Sequence, residues 1–225
     1  MTSSNLICGC IATAFAFGGC YEKALLFIIL GAVFDFFDGM SARLLKVSSS
    51  IGKELDSLAD DVTFGVAPSA MVFGVLYTHE YPIWLQGISF LLPYLAFVMA
   101  AFSAIRLAKF NLDERQTTSF IGVPTPANAL FWGSLIVGCE DTMSLSPYMT
   151  LLTIAMVFVC SYLLVAEIPL FALKFKQWGW KGNEVKYVFI ISSIPLLVIF
   201  GVAGIAVVIS WYVILAVISN HYKLT

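Results

Sequence analysis

Four aspartates, Asp35, Asp38, Asp56 and Asp60, lie in stretches otherwise apolar enough to cross a bilayer. An ionisable group in such a stretch is costly to bury, which makes each one a candidate functional site. On a helix, Asp35 and Asp38 stand about 60° apart, with Gly39 and Ala42 on the same face. On the next helix Gly52, Asp56, Ala59 and Asp60 share a sector of roughly 100°. Only the short connection Val47 to Ser50 separates the two helices, which makes them antiparallel neighbours whose carboxylate pairs converge. Four converging negative charges in a low-dielectric site repel unless a cation sits among them. Arg43 is the nearby basic residue on the first of these helices, and one arginine cannot neutralise four acids. Hard oxygen ligands without His or Cys select Mg²⁺ or Mn²⁺ over zinc. Two such ions balance four carboxylates, the arrangement that serves phosphoryl transfer. Gly39, Ala42 and Gly52 then leave room for a pyrophosphate, whose oxygens Arg43 can meet bidentately. A single Asp in a span is often just hydrogen-bonded to a neighbour, and Gly and Ala commonly serve helix packing. The shared register of the whole set is what favours a metal site.

The elements that position these groups follow from composition. The chain has 225 residues, 60% hydrophobic and 12% charged, where a soluble domain carries about a quarter charged residues. Tyr187 to Trp211 contains no charge and exceeds the length a helix needs to cross a bilayer. Polar breaks divide the chain into about eight spans, approximately 3–20, 22–47, 52–77, 84–110, 124–140, 147–174, 185–200 and 202–220. The expected fold is all-α, a polytopic membrane helical bundle forming one domain over 1–225. Basic residues cluster after the second span (Arg43, Lys46, Lys53), the fourth (Arg106, Lys109, Arg115), the sixth (Lys174, Lys176, Lys181, Lys186) and the eighth (Lys223). Such residues accumulate on the cytoplasmic side, which places both termini and the acidic site there. Six crossings with an interfacial C-terminal pair is the other topology this pattern allows. The net charge of −2 gives no ground for a nucleic-acid partner or a polybasic anchor.

Other residues read more plainly. The five cysteines form no disulfide framework, and Cys8 and Cys10 cannot face one metal from one helix. Phe17-Gly18-Gly19-Cys20 loosely resembles a lipoprotein cleavage site, but no basic residue precedes it, so residues 1–20 are expected to form a short first span. Pro169 is expected to kink the sixth span, with Glu167 partnered across a helix interface. His79 and His221 lack metal-ligand company, and Trp178 with Trp180 reads as an interfacial belt.

The run Asp35-x2-Asp38-Gly39-x2-Ala42-Arg43-x8-Gly52-x3-Asp56-x3-Asp60, residues 35–60, matches every fixed position of the CDP-alcohol phosphotransferase signature, and the chain resembles that family. The resemblance implies a six-helix core with two further helices at about 185–220. It implies that Asp35, Asp38, Asp56 and Asp60 bind metal and that Asp60 also acts as general base. Arg43 and the small residues would hold the CDP diphosphate, and CMP would leave. Three further stretches resemble the branch of the family that uses serine as acceptor: Asn5 to Gly9, where an asparagine approaches the diphosphate, Ser103 to Asn111, and Gly122 to Ala127. CDP-diacylglycerol and L-serine are the substrates this implies, in a homodimer among the lipids of a prokaryotic inner membrane.

Serine carries a carboxylate that needs a cation. Arg106 and Lys109 stand at the level of Asp60, and Asn111 and Thr125 can add hydrogen bonds. Basic residues at that level also serve as topology anchors. Glycerol phosphate or inositol phosphate is the alternative acceptor, and a divalent-cation transporter is the alternative of another class. Asp61 departs from the family pattern; lying about 100° from Asp60, it is expected to face another helix or the cytoplasmic interface rather than the metals.

Overall fold

A computed structural model describes residues 1–45, 49–112, 120–170, 179–180 and 183–221. Five of its helical segments are long and apolar enough to cross a membrane: Tyr21–Ser41, Ile51–Thr78, Leu92–Leu112, Pro147–Val165 and Ala203–Asn220. Helix α1 (Thr2–Phe17) is shorter, and α2 (Tyr21–Leu45) follows a turn in which Gly19 adopts a φ of 70°. Helix α3 (Ser50–Asp60) runs through a π-helical segment (Asp61–Val66) into α4 (Ala67–Thr78). The widened turn has a local cause. Pro68 cannot donate to the Phe64 carbonyl and its ring crowds that group, which the looser winding relieves. The Ser69 hydroxyl donates to the Gly65 carbonyl at 2.7 Å.

Two expected spans begin or end elsewhere. The stretch expected at 84–110 opens with 3₁₀ turns at Ile83–Ile88 and Leu92–Phe97, and α5 proper is Val98–Leu112. Helix α6 covers Thr125–Met143 and α7 covers Pro147–Val165. The expected continuation of α7 to residue 174 is corrected: Ala166 is already extended (ψ 141°), and β2 (Pro169–Leu170) pairs antiparallel with β1 (Phe120–Ile121). Proline lacks a ladder N–H and holds the residue before it extended, so Pro169 ends the helix instead of kinking it. Glu167 is consequently exposed, not partnered across a helix interface.

Helices α8 (Glu184–Phe200) and α9 (Ala203–His221) form a hairpin turned at Gly201, with φ 54°. Trp211 donates to the Ser192 hydroxyl at 2.8 Å across that hairpin, and Asn220 donates to the Pro169 carbonyl at 2.6 Å. Helix α9 lies along α6.

The main core joins α1, α2, α4 and α6 through Ala12, Ala16, Ile28, Met71 and Trp132, all fully buried. Small residues let these helices approach closely, which is how helices associate where lipid removes the usual hydrophobic drive. A Cβ on Gly9 would lie 2.8 Å from the Thr63 Cα. Helix α1 packs along α2 and also against α3 and α4, whereas direct packing of α2 on α3 is slight. The first helix therefore fills the angle between the two acidic helices.

Candidate active site

Asp35 on α2 and Asp56 and Asp60 on α3 each offer a carboxylate oxygen, and the three oxygens lie within 4.8 Å of one another. All three side chains are partly buried. The i, i+4 spacing of Asp56 and Asp60 puts both on the face that looks toward α2. Three hard oxygens this close fit a divalent cation, whose bonds to carboxylate are about 2.0–2.6 Å long. Asp38, one turn beyond Asp35, stands near enough to act on Asp35 and Asp56 electrostatically. It accepts a hydrogen bond from the Thr2 hydroxyl of α1. Of the four acids, three form one cluster and the fourth is engaged by the first helix.

The start of α3 is fixed by Ser49, whose hydroxyl accepts the Gly52 N–H at 3.0 Å. A Cβ on Gly52 would come within 2.9 Å of that hydroxyl, so the glycine serves the cap as well as the open mouth of the site. Gly39 is exposed on α2. The side chains of Ala42, Arg43 and His221 lie outside the described residues, as do Lys46, Arg115, Lys174, Lys176, Trp178, Lys181 and Lys223.

Helix α1 supplies more than a wall. Asn5 is fully buried and donates its amide to Asp60 at 2.9 Å. The Thr63 hydroxyl donates to the Asn5 carbonyl at 3.0 Å, which locks that turn of α1 to the π-helical segment. Asn5 is thus placed to aim a carboxylate, while its own side-chain oxygen has no partner. Partners that orient a metal-binding carboxylate typically matter 10–100-fold. Replacing Asn5 with Ala is expected to weaken Mn²⁺ binding and lower turnover by about that factor. Titration of Mn²⁺ against activity checks this, and unchanged metal dependence would remove Asn5 from the site.

On α5, Arg106 is 8% exposed, acts on Asp60 electrostatically, and leaves its Nε without a partner. Its guanidinium lies 5.9 Å from the Phe110 ring centroid. Lys109 is exposed. Asn111 donates to the Ser57 hydroxyl at 2.8 Å, and its carbonyl accepts from Lys53 at 2.8 Å, so it staples α5 to α3. Thr125 begins α6 and is buried, its hydroxyl unpartnered. Asp61 turns toward α5, where its carboxylate stands by the Ser103 hydroxyl, as the angle from Asp60 led us to expect. Sequence reasoning missed Thr2, Ser57 and Thr63, and named Ser103 only as the start of a family-like stretch without a role of its own; a lone hydroxyl carries no signal until the tertiary fold gives it a neighbour.

An apolar groove of about 450 Å³ runs beside the acidic end of α2, lined by Ile29, Val33, Phe36, Leu130 and Ile205 from α2, α6 and α9. At the opposite end of α4, outside the spans, burial pushes the Tyr81 phenol up to about 12 and lowers His79. Tyr81 donates to the Leu76 carbonyl at 2.8 Å. Trp180 stacks on Tyr187 with centroids 5.4 Å apart.

A helical membrane fold with clustered aspartates spaced as in residues 35–60 defines a class of lipid phosphotransferases. The profile of the CDP-alcohol phosphatidyltransferase family matches residues 1–219, and the chain belongs to that family. It is similar to the CDP-diacylglycerol--serine O-phosphatidyltransferase of Bacillus subtilis, 41% identical over 131 residues, 56% of this chain and 67% of the relative. A protein of the same name from Saccharomyces cerevisiae is 40% identical over 114 residues, 47% of this chain and 38% of the relative. One from Helicobacter pylori is 34% identical over 140 residues, 61% of this chain and 54% of the relative.

Proposed function

We propose that the protein transfers the phosphatidyl group of CDP-diacylglycerol to the hydroxyl of L-serine, releasing CMP and phosphatidylserine. The observation that carries this reading is the meeting of Asp35, Asp56 and Asp60 oxygens within 4.8 Å on membrane helices. Asp35, Asp38, Asp56 and Asp60 would together hold two divalent ions, Mg²⁺ or Mn²⁺, which neutralise the diphosphate as charge develops on it.

The chain's own groups do the rest. The groove along α2, α6 and α9 receives an acyl chain laterally from the membrane. Gly39, Ala42, Arg43 and Gly52 border the CDP diphosphate. Arg106, buried beside Asp60, draws the serine carboxylate toward the site, with Lys109, Asn111 and Thr125 as further acceptor contacts. Asp60, aimed by Asn5, takes the serine hydroxyl proton. The freed oxygen bonds to the phosphorus bearing the lipid, and the phosphorus–oxygen bond to CMP breaks with its electron pair on CMP. Catalysis of this kind rests on positioning and charge neutralisation.

The topology that goes with this reading has eight crossings, α1, α6 and α8 joining the five spans named above. Both termini and the active site face the cytoplasm of a prokaryotic inner membrane, and the protein is a homodimer. The distribution of Lys and Arg supports this orientation.

Purified protein incubated with CDP-diacylglycerol and either serine, glycerol 3-phosphate or inositol phosphate tests the proposal through CMP release. Serine alone is expected to support turnover. A chelator is expected to lower that turnover by at least about 100-fold, with Mg²⁺ or Mn²⁺ restoring it, since bound metal supplies several kcal/mol of charge stabilisation. Chelator-resistant turnover would overturn the metal assignment, and CMP release only with a phosphorylated alcohol would overturn the acceptor. Divalent-ion flux through liposomes without CMP release would replace the enzyme by a transporter.

A further inference from the structure

We infer that the seam between the π-helical segment and α5 recognises both charges of a free amino acid, Asp61 with Ser103 taking the ammonium and Arg106 the carboxylate. This rests on the serine reading above and extends it to a residue where the chain departs from its family's pattern.

Asp60 and Asp61 are consecutive, yet they serve different faces. Asp60 joins the carboxylate cluster, while Asp61, the first residue of the π-helical segment, turns toward α5. A Cβ placed on Gly65 would lie 2.6 Å from Asp61 Oδ1 and 2.9 Å from Ser103 Oγ, so both groups converge on that glycine. Ser103 is fully buried and Arg106 is 8% exposed. The Ser103 hydroxyl approaches the Asp61 carboxylate closely enough to act on it as a hydrogen-bond donor. The geometry falls short of a formed bond, and Asp61 Oδ1, Ser103 Oγ and Arg106 Nε have no hydrogen-bond partner. Ser103 and Arg106 are i, i+3 on α5, about 5–6 Å apart on one face.

Three unsatisfied polar groups at this depth are costly, and the cost falls when a ligand supplies complementary charges. The complement is specific. A cation belongs next to Asp61 and Ser103, and an anion next to Arg106. An α-amino acid carries both charges on one carbon, and serine's hydroxyl, one carbon further, can then reach Asp60, the neighbour of Asp61 in the chain and of Arg106 in space. A phosphorylated alcohol brings no cation and would set its phosphate against Asp60 and Asp61 together. Asp61 is half buried rather than sealed, and the Lys53–Asn111 contact at the cytoplasmic end of the seam is exposed, so a soluble acceptor can enter there.

Steady-state kinetics of Asp61→Asn with CDP-diacylglycerol and serine tests the inference. The amide keeps the shape and removes the charge. The serine KM is expected to rise about tenfold or more with kcat within about threefold, the pattern of a lost binding contact. Inhibition by ethanolamine, which keeps the ammonium and lacks the carboxylate, should weaken in parallel. Inhibition by 3-hydroxypropanoate, which lacks the ammonium, should shift by less than about twofold. Ser103→Ala should repeat the pattern more weakly, and it carries the test if Asp61→Asn fails to fold. An unchanged serine KM, or equal shifts for all three ligands, overturns the inference while leaving the phosphatidyl-transfer reading intact. Wild-type protein that releases no CMP with serine sinks both, and that result is visible before any variant is made.

Discussion

Asp60→Asn is expected to abolish CMP release, by about a thousandfold or more, in a protein that still folds and inserts. A general base contributes about 10²–10⁴-fold on its own, and here the same carboxylate also completes the cluster of three acids. Four groups act on Asp60: the carboxylates of Asp35 and Asp56, the amide of Asn5 at 2.9 Å, and the charge of Arg106. The asparagine oxygen can still accept from Asn5, so the α1–α3 contact survives and the fold with it. What disappears is a negative charge and the capacity to take a proton. CMP release at saturating serine, read beside a thermal melt, separates the two. Wild-type turnover in the variant would end the base assignment.

Gly9→Ala is expected to have a large effect although it stands remote from the acids. The added Cβ would stand 2.8 Å from the Thr63 Cα and 2.9 Å from its N, and these backbone atoms cannot swing aside. Helix α1 must then back away from the π-helical segment. Overpacking of this kind costs about 1–3 kcal/mol, enough to lower Tm by roughly 5 °C in a chain of this size. Asn5 sits one turn from Gly9 and is tied to Thr63, so the same displacement draws its amide off Asp60. Turnover should fall about tenfold or more by loss of that orienting contact. Gly18→Ala is the control, because its Cβ would meet carbonyl oxygens at an ordinary 3.5 Å. Equal melts for both variants would show that α1 is not held as described.

The meeting of Asp35, Asp56 and Asp60 was legible before any coordinates because helical periodicity decides which acids share a face, whereas Asp38, expected among them, is engaged by Thr2 of α1. The direction of Asp61 was legible on the same ground. Helix α1 was read as a short span that brings Asn5 near the diphosphate. Its hold on both acidic helices depends on Gly9, Gly31 and Thr63, uncharged residues whose closeness exists only in three dimensions. The end of α7 was misplaced because apolar residues continue past Val165, although Pro169 carried the correct signal. Asn111 was read as an acceptor contact, and its hydrogen bonds to α3 could be seen only once α5 was placed beside it.

The wide turn at Asp61–Val66 gives the two halves of one long rod separate angular settings. The acidic half can be aimed for catalysis and the other half for burial, with neither compromising the other. Tightening that turn to ordinary winding with its residues unchanged would rotate every acid on α3 against the packing face of α4.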